Sequence, residues 1–96
     1  MTEYLRVRWH HDLPDEPVLL LSEVEDGWEV RKVERFSDGR VQRAGPGEST
    51  GGTELSETKL PTAKEIASDF QFTVEPTTAD EFDTEWRAAG AGLGGC

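Results

Sequence analysis

The sequence has almost no cysteine and no long apolar segment. Cys96 is the only cysteine among the 96 residues, so no internal disulfide is expected, which suits a reducing cytoplasm. The longest purely apolar run extends from Val18 to Leu21, whereas a membrane-spanning helix needs about 20 apolar residues. A basic start followed by an apolar stretch, the mark of a secretory signal, is also missing. These absences predict a cytoplasmic protein that does not enter a membrane.

Positive charge is also scarce. The chain has 10 Lys and Arg residues against 20 Asp and Glu residues, which gives a formal net charge of −10. Residues 44–96 are the more acidic part, with three basic and ten acidic side chains. Such a surface repels phosphates and excludes sequence-independent binding to nucleic acid. It attracts basic protein surfaces, so the expected partner is a protein that presents one.

The first half of the chain has the pattern of an antiparallel meander. Apolar and basic residues alternate in the first segment, which predicts one buried face. Asp26-Gly27 and Asp38-Gly39 are hairpin turn signals between the later segments. The third segment changes parity between Val30 and Val33, which predicts a bulge near Arg31–Lys32 or burial of both faces. The four predicted strands are Tyr4–Trp9, Val18–Val24, Trp28–Phe36 and Arg40–Arg43.

The second half predicts two capped helices. Thr62 and Glu65 have the spacing of a capping box, and the helix that they start should end near Asp69. Thr78 and Glu81 repeat that spacing before a last helix that Gly90 should end. Weaker patterns indicate an edge strand between Leu55 and Leu60 and a short strand over Phe70–Val74. The three tryptophans, Trp9, Trp28 and Trp86, are predicted to anchor the core.

Together these segments predict a single α+β domain over residues 1–89. Its sheet is an antiparallel meander of about four strands, and two short helices follow it toward the C-terminus. Residues 90–96 are glycine-rich and uncharged, which predicts a flexible tail.

Several motifs along the chain are informative in combination. They are Tyr4-Leu5-Arg6-Val7, Pro14–Leu20, Trp28–Glu34, Gly51-Gly52-Thr53-Glu54-Leu55, the helix start at Pro61 to Ile66, and Phe82 with Trp86. Together they resemble a known family of small, uncharacterised bacterial domains of about ninety residues. The resemblance covers most of residues 3–87 and leaves the tail after Arg87 outside the family pattern. It implies a fold but no catalytic residue, because the function of the family is unknown. Small acidic domains of this sort are often suspected immunity or antitoxin partners, which is an analogy at the level of the fold.

The leading hypothesis is therefore a non-enzymatic, acidic protein-interaction module, such as an immunity or antitoxin partner that occludes a basic active site. Electrostatic steering would make its association fast and sensitive to salt. Neither a cofactor nor a metal is expected. The predicted contacts are acidic residues of the second half: Glu54, Glu57, Asp80, Glu81, Asp83 and Glu85.

A second hypothesis is a carrier protein that acts through Gly94, Gly95 and Cys96. A Gly-Gly terminus resembles the ends of ubiquitin-like sulfur carriers, and a C-terminal cysteine resembles carrier peptides of natural-product pathways. The ubiquitin-like fold has a strand directly before its tail, whereas a capped helix is predicted here. The alternative is a disordered end or an added labelling handle.

A third hypothesis is a small anion-binding domain. Guanidinium groups on one face of the sheet would bind carboxylate or phosphate in a bidentate manner, in a pocket with convergent polar groups. The alternative is pairing of these arginines with Glu29 and Glu34 across the strands. The arginines concerned are Arg6, Arg8, Arg31, Arg35 and Arg40.

The segment from His10 to Glu16 collects histidines and carboxylates. Imidazole and carboxylate groups bind zinc or similar ions, and such a pair can also act in acid–base chemistry. Adjacent histidines that leave a strand point to opposite faces, and two prolines shape the segment. A polar loop is therefore the preferred interpretation for His10 and His11.

Overall fold

The computed structural model describes residues 2–46, 48–49 and 53–94, and within them the chain forms an antiparallel sheet with two helices. The strands and helices, in chain order, are β1 (Thr2–Trp9), β2 (Pro17–Glu25), β3 (Trp28–Phe36), β4 (Val41–Gly45), β5 (Glu48–Ser49), α1 (Ala63–Ala67), β6 (Phe72–Glu75) and α2 (Ala79–Gly94). The predicted α+β class is confirmed. The prediction of about four strands is too low, because five strands have four residues or more and β5 adds a pair of residues at the edge.

The sheet has the order β5-β4-β3-β2-β1-β6, so a meander is extended at one edge by a strand from much later in the chain. Asp26 and Gly27 both have positive φ angles, 52° and 87°, as the predicted tight hairpin requires. At the other edge Phe72 lies opposite Trp9 and Val74 lies opposite Val7. The addition of β6 therefore makes β1 an inner strand.

A register shift in the β2–β3 hairpin accounts for the change of parity in the third strand. Glu23 pairs with Arg31 while the next residue, Val24, pairs with Glu29, so Val30 is the extra residue. The predicted bulge is thus present, one residue before the expected position. Trp28 lies at the turn end of the hairpin and is 46% exposed. Its predicted role as a core anchor is therefore wrong.

The α2 face of the sheet, which is the face that helix α2 covers, holds the centre of the core. Phe82 is fully buried and contacts the rings of Tyr4 and Trp86, with centroid distances of 5.6 and 6.3 Å. Phe82 and Trp86 are four residues apart and therefore lie on one side of α2, as predicted. The core cluster also contains Leu19, Leu21, Val33 and Ala89.

Gly90 lies inside α2, so the prediction that it ends the helix is wrong. The helix continues to Gly94, and alanines at positions 88, 89 and 91 favour this continuation through their high helix propensity. A Cβ atom at Gly90 would lie 2.6 Å from Nη1 of Arg43, which itself donates a hydrogen bond to the main-chain oxygen of Trp86. Glycine at this position thus allows close approach of the Arg43 guanidinium. Gly95 and Cys96 lie outside the described residues.

The opposite face of the sheet, here the α1 face, is covered by residues 53–62 and by helix α1. Thr62 accepts a hydrogen bond from the backbone N–H of Glu65 at 3.1 Å, and the Glu65 side chain accepts one from the Thr62 N–H. The predicted capping box is confirmed, although the helix ends at Ala67 rather than near Asp69. The edge strand expected between Leu55 and Leu60 is absent from the described structure of that segment. Neither helix, over the described residues, is long and apolar enough to cross a membrane.

Candidate functional site

Arg31 lies at the centre of the α2 face and has two carboxylate partners. Its Nε donates to Oε1 of Glu23 at 2.6 Å, and its Nη2 donates to Oδ1 of Asp83 at 3.1 Å. The guanidinium also lies 4.9 Å from the ring centre of Phe82 and 5.1 Å from that of Trp86. This arginine therefore joins the β2–β3 hairpin to α2 by charge and by cation–π contact.

Three further arginines of this face are bound by carboxylates as well. Glu75 on β6 accepts from Nε of Arg6 at 3.0 Å and from Nε of Arg8 at 3.3 Å. Arg35 donates through Nη2 to Glu85 of α2 at 2.7 Å. The predicted arginine face thus exists for these three residues and Arg31. The guanidinium groups bind carboxylates of this chain, so the face is internally neutralised.

Arg40 lies away from that face, in the β3–β4 turn. It pairs with Asp38 at 2.7 Å and lies over the ring of Phe36. The predicted alternative partners of the arginines, Glu29 and Glu34, are on the α1 face. Glu34 alternates with Arg35 along β3, and the bulge at Val30 reverses the alternation before Arg31, which places Glu29 on the same face as Glu34.

A small cavity beside the arginine face is shared with acidic residues. It has a volume of about 280 Å³ and is lined by Arg6, Glu81, Thr84 and Glu85. Two carboxylates in the lining oppose the entry of an anion. This cavity does not have the composition that the anion-binding hypothesis requires.

The pairing of Glu23 makes stability depend on pH. The hydrogen bond from Arg31 lowers the pKa of Glu23 below its ordinary value of 4.5; a further bond from the Tyr4 hydroxyl acts in the same direction, and burial opposes both. Because the folded-state pKa is depressed, the stabilisation is present above pH 4.5 and is lost as the pH falls through the folded-state value.

We expect Glu23→Gln to lower the free energy of unfolding at pH 7 by about 1–2 kcal/mol, since it replaces a charged acceptor that is largely buried. The difference from the unsubstituted chain should shrink below about pH 4. Urea unfolding at a series of pH values measures both effects. Glu57→Gln, at an exposed position, is the control and should leave the pH profile unchanged. Parallel profiles for Glu23→Gln and the unsubstituted chain would contradict the assignment.

The six predicted acidic contact residues do not form one surface. Asp83 and Glu85 are bound to Arg31 and Arg35 on the α2 face. Asp80 and Glu81 are exposed in the first turn of α2. Glu54 and Glu57 are exposed in the segment that covers the α1 face. The set is therefore divided between the two sides of the sheet.

His10 and His11 have separate structural partners. His10 Nε2 lies 2.7 Å from the Thr73 hydroxyl on β6. His11 packs edge-on against Trp9, with its Nε2 2.7 Å from the main-chain oxygen of Pro17, while its Nδ1 accepts from the Leu13 N–H. Within residues 2–46, 48–49 and 53–94, no cluster of His, Cys, Asp and Glu has the arrangement of a metal site.

An apolar cavity of about 340 Å³ opens on the α1 face, between the sheet and α1. Strands β1, β2 and β6 supply its floor, and α1 with the residues before it supplies the opposite wall. Two carboxylates of the α1 region, Glu65 and Asp69, also line it. The apolar lining residues are Leu5, Val7, Leu20, Leu60, Pro61, Ile66 and Phe72.

A buried polar cluster forms one side of this apolar cavity. Glu29 is only 6% exposed and accepts hydrogen bonds from the Ser22 hydroxyl at 2.6 Å and from the Ser56 N–H at 2.9 Å. Lys32 Nζ lies 3.3 Å from Glu29 and donates to the main-chain oxygen of Glu54 at 2.8 Å. The cluster thereby attaches the covering segment to the sheet.

A second cavity, of about 360 Å³, adjoins the first and is acidic. Lys32 lines both cavities and therefore stands between them. Glu34 accepts a hydrogen bond from the Thr53 hydroxyl at 2.6 Å at one wall. The four carboxylate residues of its lining are Asp15, Glu16, Glu34 and Glu54.

The sequence did not identify this pair of cavities. The alternation of β1 predicts that Leu5 and Val7 are buried, but it does not say which later segment covers them. A signal was present in Ser22, a polar residue directly after the apolar run of β2, because such a residue needs a partner when it is buried. The anion-binding hypothesis predicted a pocket among the arginines, whereas the two larger described cavities lie on the other face.

A family model described as Domain of unknown function (DUF6881) matches residues 3–91. The match ends four residues after Arg87. The expectation that the whole tail after Arg87 lies outside the family pattern is therefore wrong for residues 88–91. No curated protein matches the chain, and no solved structure matches it.

Proposed function

The chain belongs to the DUF6881 family of domains of unknown function, and from that premise we propose that it is a non-enzymatic, acidic protein-interaction module for a partner with a basic surface. One observation carries the proposal. The two cavities of the α1 face are lined by seven carboxylate residues and a single amine, that of Lys32. This surface has an excess of negative charge beside apolar side chains.

The contrast between the two faces supports the choice of surface. On the α2 face, Arg6, Arg8, Arg31 and Arg35 offset the nearby carboxylates at distances of 2.6–3.3 Å. On the α1 face, Glu54 and Glu57 are exposed and form no ion pair within the described part of the chain. A basic partner would thus meet uncompensated charge on the α1 face.

We propose that this module acts as a cytoplasmic inhibitor of the immunity or antitoxin type. An acidic surface with an apolar centre complements a basic active site and can occlude it. Long-range attraction would raise the association rate, and the affinity would fall as salt screens the charges.

Binding of a fluorescent peptide of about ten lysines to the full chain tests this proposal at its simplest. We expect Glu54→Gln with Glu57→Gln to weaken binding by about threefold at about 50 mM salt, because both residues are exposed in the segment that covers the α1 face and Glu54 lines the acidic cavity. Fluorescence anisotropy measures the dissociation constant. At about 300 mM salt the difference between the variants should nearly disappear.

Asp80→Asn with Glu81→Gln is the matched control, because it removes the same charge from exposed positions on the other side of the sheet. Circular dichroism should show that both double variants are folded. An equal loss of affinity in the two variants would mean that only net charge matters, and the proposal of an α1-face site would then be wrong.

A further inference from the structure

We infer that the two adjoining cavities of the α1 face accept two neighbouring side chains of one partner segment, an apolar one and a lysine or arginine. The inference rests on the proposed function and gives it a more specific partner. The apolar cavity would take the first side chain, and the acidic cavity would take the second. A segment of this chemistry matches both cavities at once, whereas a purely basic surface matches only the acidic one.

The apolar cavity has the composition of a site for a hydrophobic side chain. Leu5, Leu20 and Ile66 are only half-buried there, so part of their apolar surface is left open to water. Its volume of about 340 Å³ falls in the range of ligand pockets. A leucine-sized side chain would bury this surface, and a charged one would lose its hydration on entry.

The acidic cavity has the composition of a site for a cation. Asp15 and Glu16 are exposed at its entrance and form no ion pair within the described residues. Glu34 lies at its wall, where it accepts from Thr53. Lys32 is the only basic residue of the lining, and its ammonium group is engaged by Glu29 and the Glu54 main chain. A second ammonium or guanidinium group would therefore meet an excess of negative charge.

The two sites are close enough for one short segment. Leu20, in the apolar cavity, lies directly opposite Glu34, in the acidic cavity, on paired strands. Neighbouring strands are about 4.8 Å apart, and residues two apart in an extended peptide are separated by about 7 Å. The two side chains should therefore come from positions that are adjacent or two apart in the partner.

The test uses labelled peptides of about a dozen residues, in glycine-serine context, that contain Leu-Lys or Leu-Gly-Lys. Matched peptides carry Ser in place of Leu, or Gln in place of Lys. We expect the better of the two parent peptides to bind the full chain at least about tenfold more tightly than either of its matched peptides. Isothermal titration or NMR titration gives the dissociation constants.

Two variants of the chain assign each side chain to its cavity. Ile66→Trp fills the apolar cavity and should reduce the preference for Leu over Ser to less than about threefold. Asp15→Asn with Glu16→Gln should do the same to the preference for Lys over Gln. Asp80→Asn with Glu81→Gln should change neither preference. Circular dichroism confirms folding, and Leu20→Phe provides a second filling of the cavity if Ile66→Trp does not fold.

The possible failures are distinguishable. Salt-sensitive binding of all lysine peptides, with no preference for leucine, would overturn the two-site inference and leave the proposed acidic module intact. Binding that depends on leucine alone would overturn the inference by removing the role of the acidic cavity. Absence of binding by every cationic peptide, including the lysine peptide, would overturn both the inference and the proposed function.

Discussion

Phe82→Ala is expected to destabilise the chain more than any other single truncation of an apolar side chain, by about 3–5 kcal/mol. Phe82 is fully buried on the α2 face, where its ring contacts those of Tyr4 and Trp86 and lies beneath the Arg31 guanidinium. Truncation removes these contacts and leaves a cavity between α2 and the sheet. Urea unfolding followed by circular dichroism measures the loss.

A loss of this size matters more because the domain is small. A chain of this length buries a modest fraction of its surface, so its free energy of unfolding should lie near the lower end of the usual range of about 5–15 kcal/mol. A loss of about 4 kcal/mol would leave a substantial unfolded population near body temperature. The variant should therefore show a much lower midpoint in urea and a lower yield of folded protein.

Phe70→Ala is the matched control because it makes the same chemical change at a residue that is 92% exposed. We expect it to alter the free energy of unfolding by no more than about 0.5 kcal/mol. A loss of less than about 1.5 kcal/mol for Phe82→Ala would show that α2 contributes little to the core. The packing of this helix on the sheet would then be misassigned.

The features that the sequence predicted well are those encoded by nearby residues. The capping box depends on Thr62 and Glu65, which are three positions apart, and the tight hairpin depends on the Asp26-Gly27 pair. The burial of Phe82 follows from its spacing with Trp86 on one side of a helix. In each case a local conformational preference and the pattern of apolar residues point to the same structure.

The features that the sequence did not predict depend on pairing between distant segments. β6 lies opposite β1 although Phe72 and Trp9 are more than sixty positions apart, and nothing in either segment specifies this partner. Asp83 and Glu85 resembled free surface charges because the arginines that bind them lie about fifty positions earlier in the sequence. The fold brings them to Arg31 and Arg35, so their role changed from expected partner contacts to internal ion pairs.

The same limitation explains why the candidate site was missed. The residues of its apolar cavity come from β1, β2, β3, β6, α1 and the segments on either side of α1, and no local pattern joins them. Composition correctly indicated an acidic surface, but it did not show where that charge is left uncompensated. The distribution of arginines decides this, since those of the α2 face neutralise one side of the sheet while Lys32 is the only basic residue in the cavity linings of the other.

Substitution of Glu29 provides the most direct test of how residues 53–62 are held on the α1 face. Its carboxylate is the acceptor for the Ser22 hydroxyl, the Ser56 N–H and the Lys32 ammonium. Glu29→Ala would leave two of these donors without an acceptor in a largely buried place, although Lys32 would keep its bond to the main chain of Glu54. We expect a loss of about 3 kcal/mol in the free energy of unfolding.

Glu29→Gln separates the charge of this residue from its hydrogen bonds. The amide keeps one oxygen as an acceptor but places two further donors beside Ser22 and Lys32, so the expected loss is intermediate, about 1–2 kcal/mol. Glu57→Ala, at an exposed position in the same segment, should change the free energy of unfolding by no more than about 0.5 kcal/mol. Chemical denaturation of the three variants gives these values.

Hydrogen exchange locates the effect of Glu29→Ala within the molecule. The Ser56 amide should exchange faster than in the unsubstituted chain by a larger factor than amides of β2 and β3, because its acceptor is removed. A uniform increase at all amides would mean that the variant lowers only the global stability. A loss below about 1 kcal/mol with an unchanged Ser56 amide would mean that residues 53–62 are held on the sheet by apolar contacts at Leu60 instead, and that the polar cluster does not fix the boundary between the two cavities.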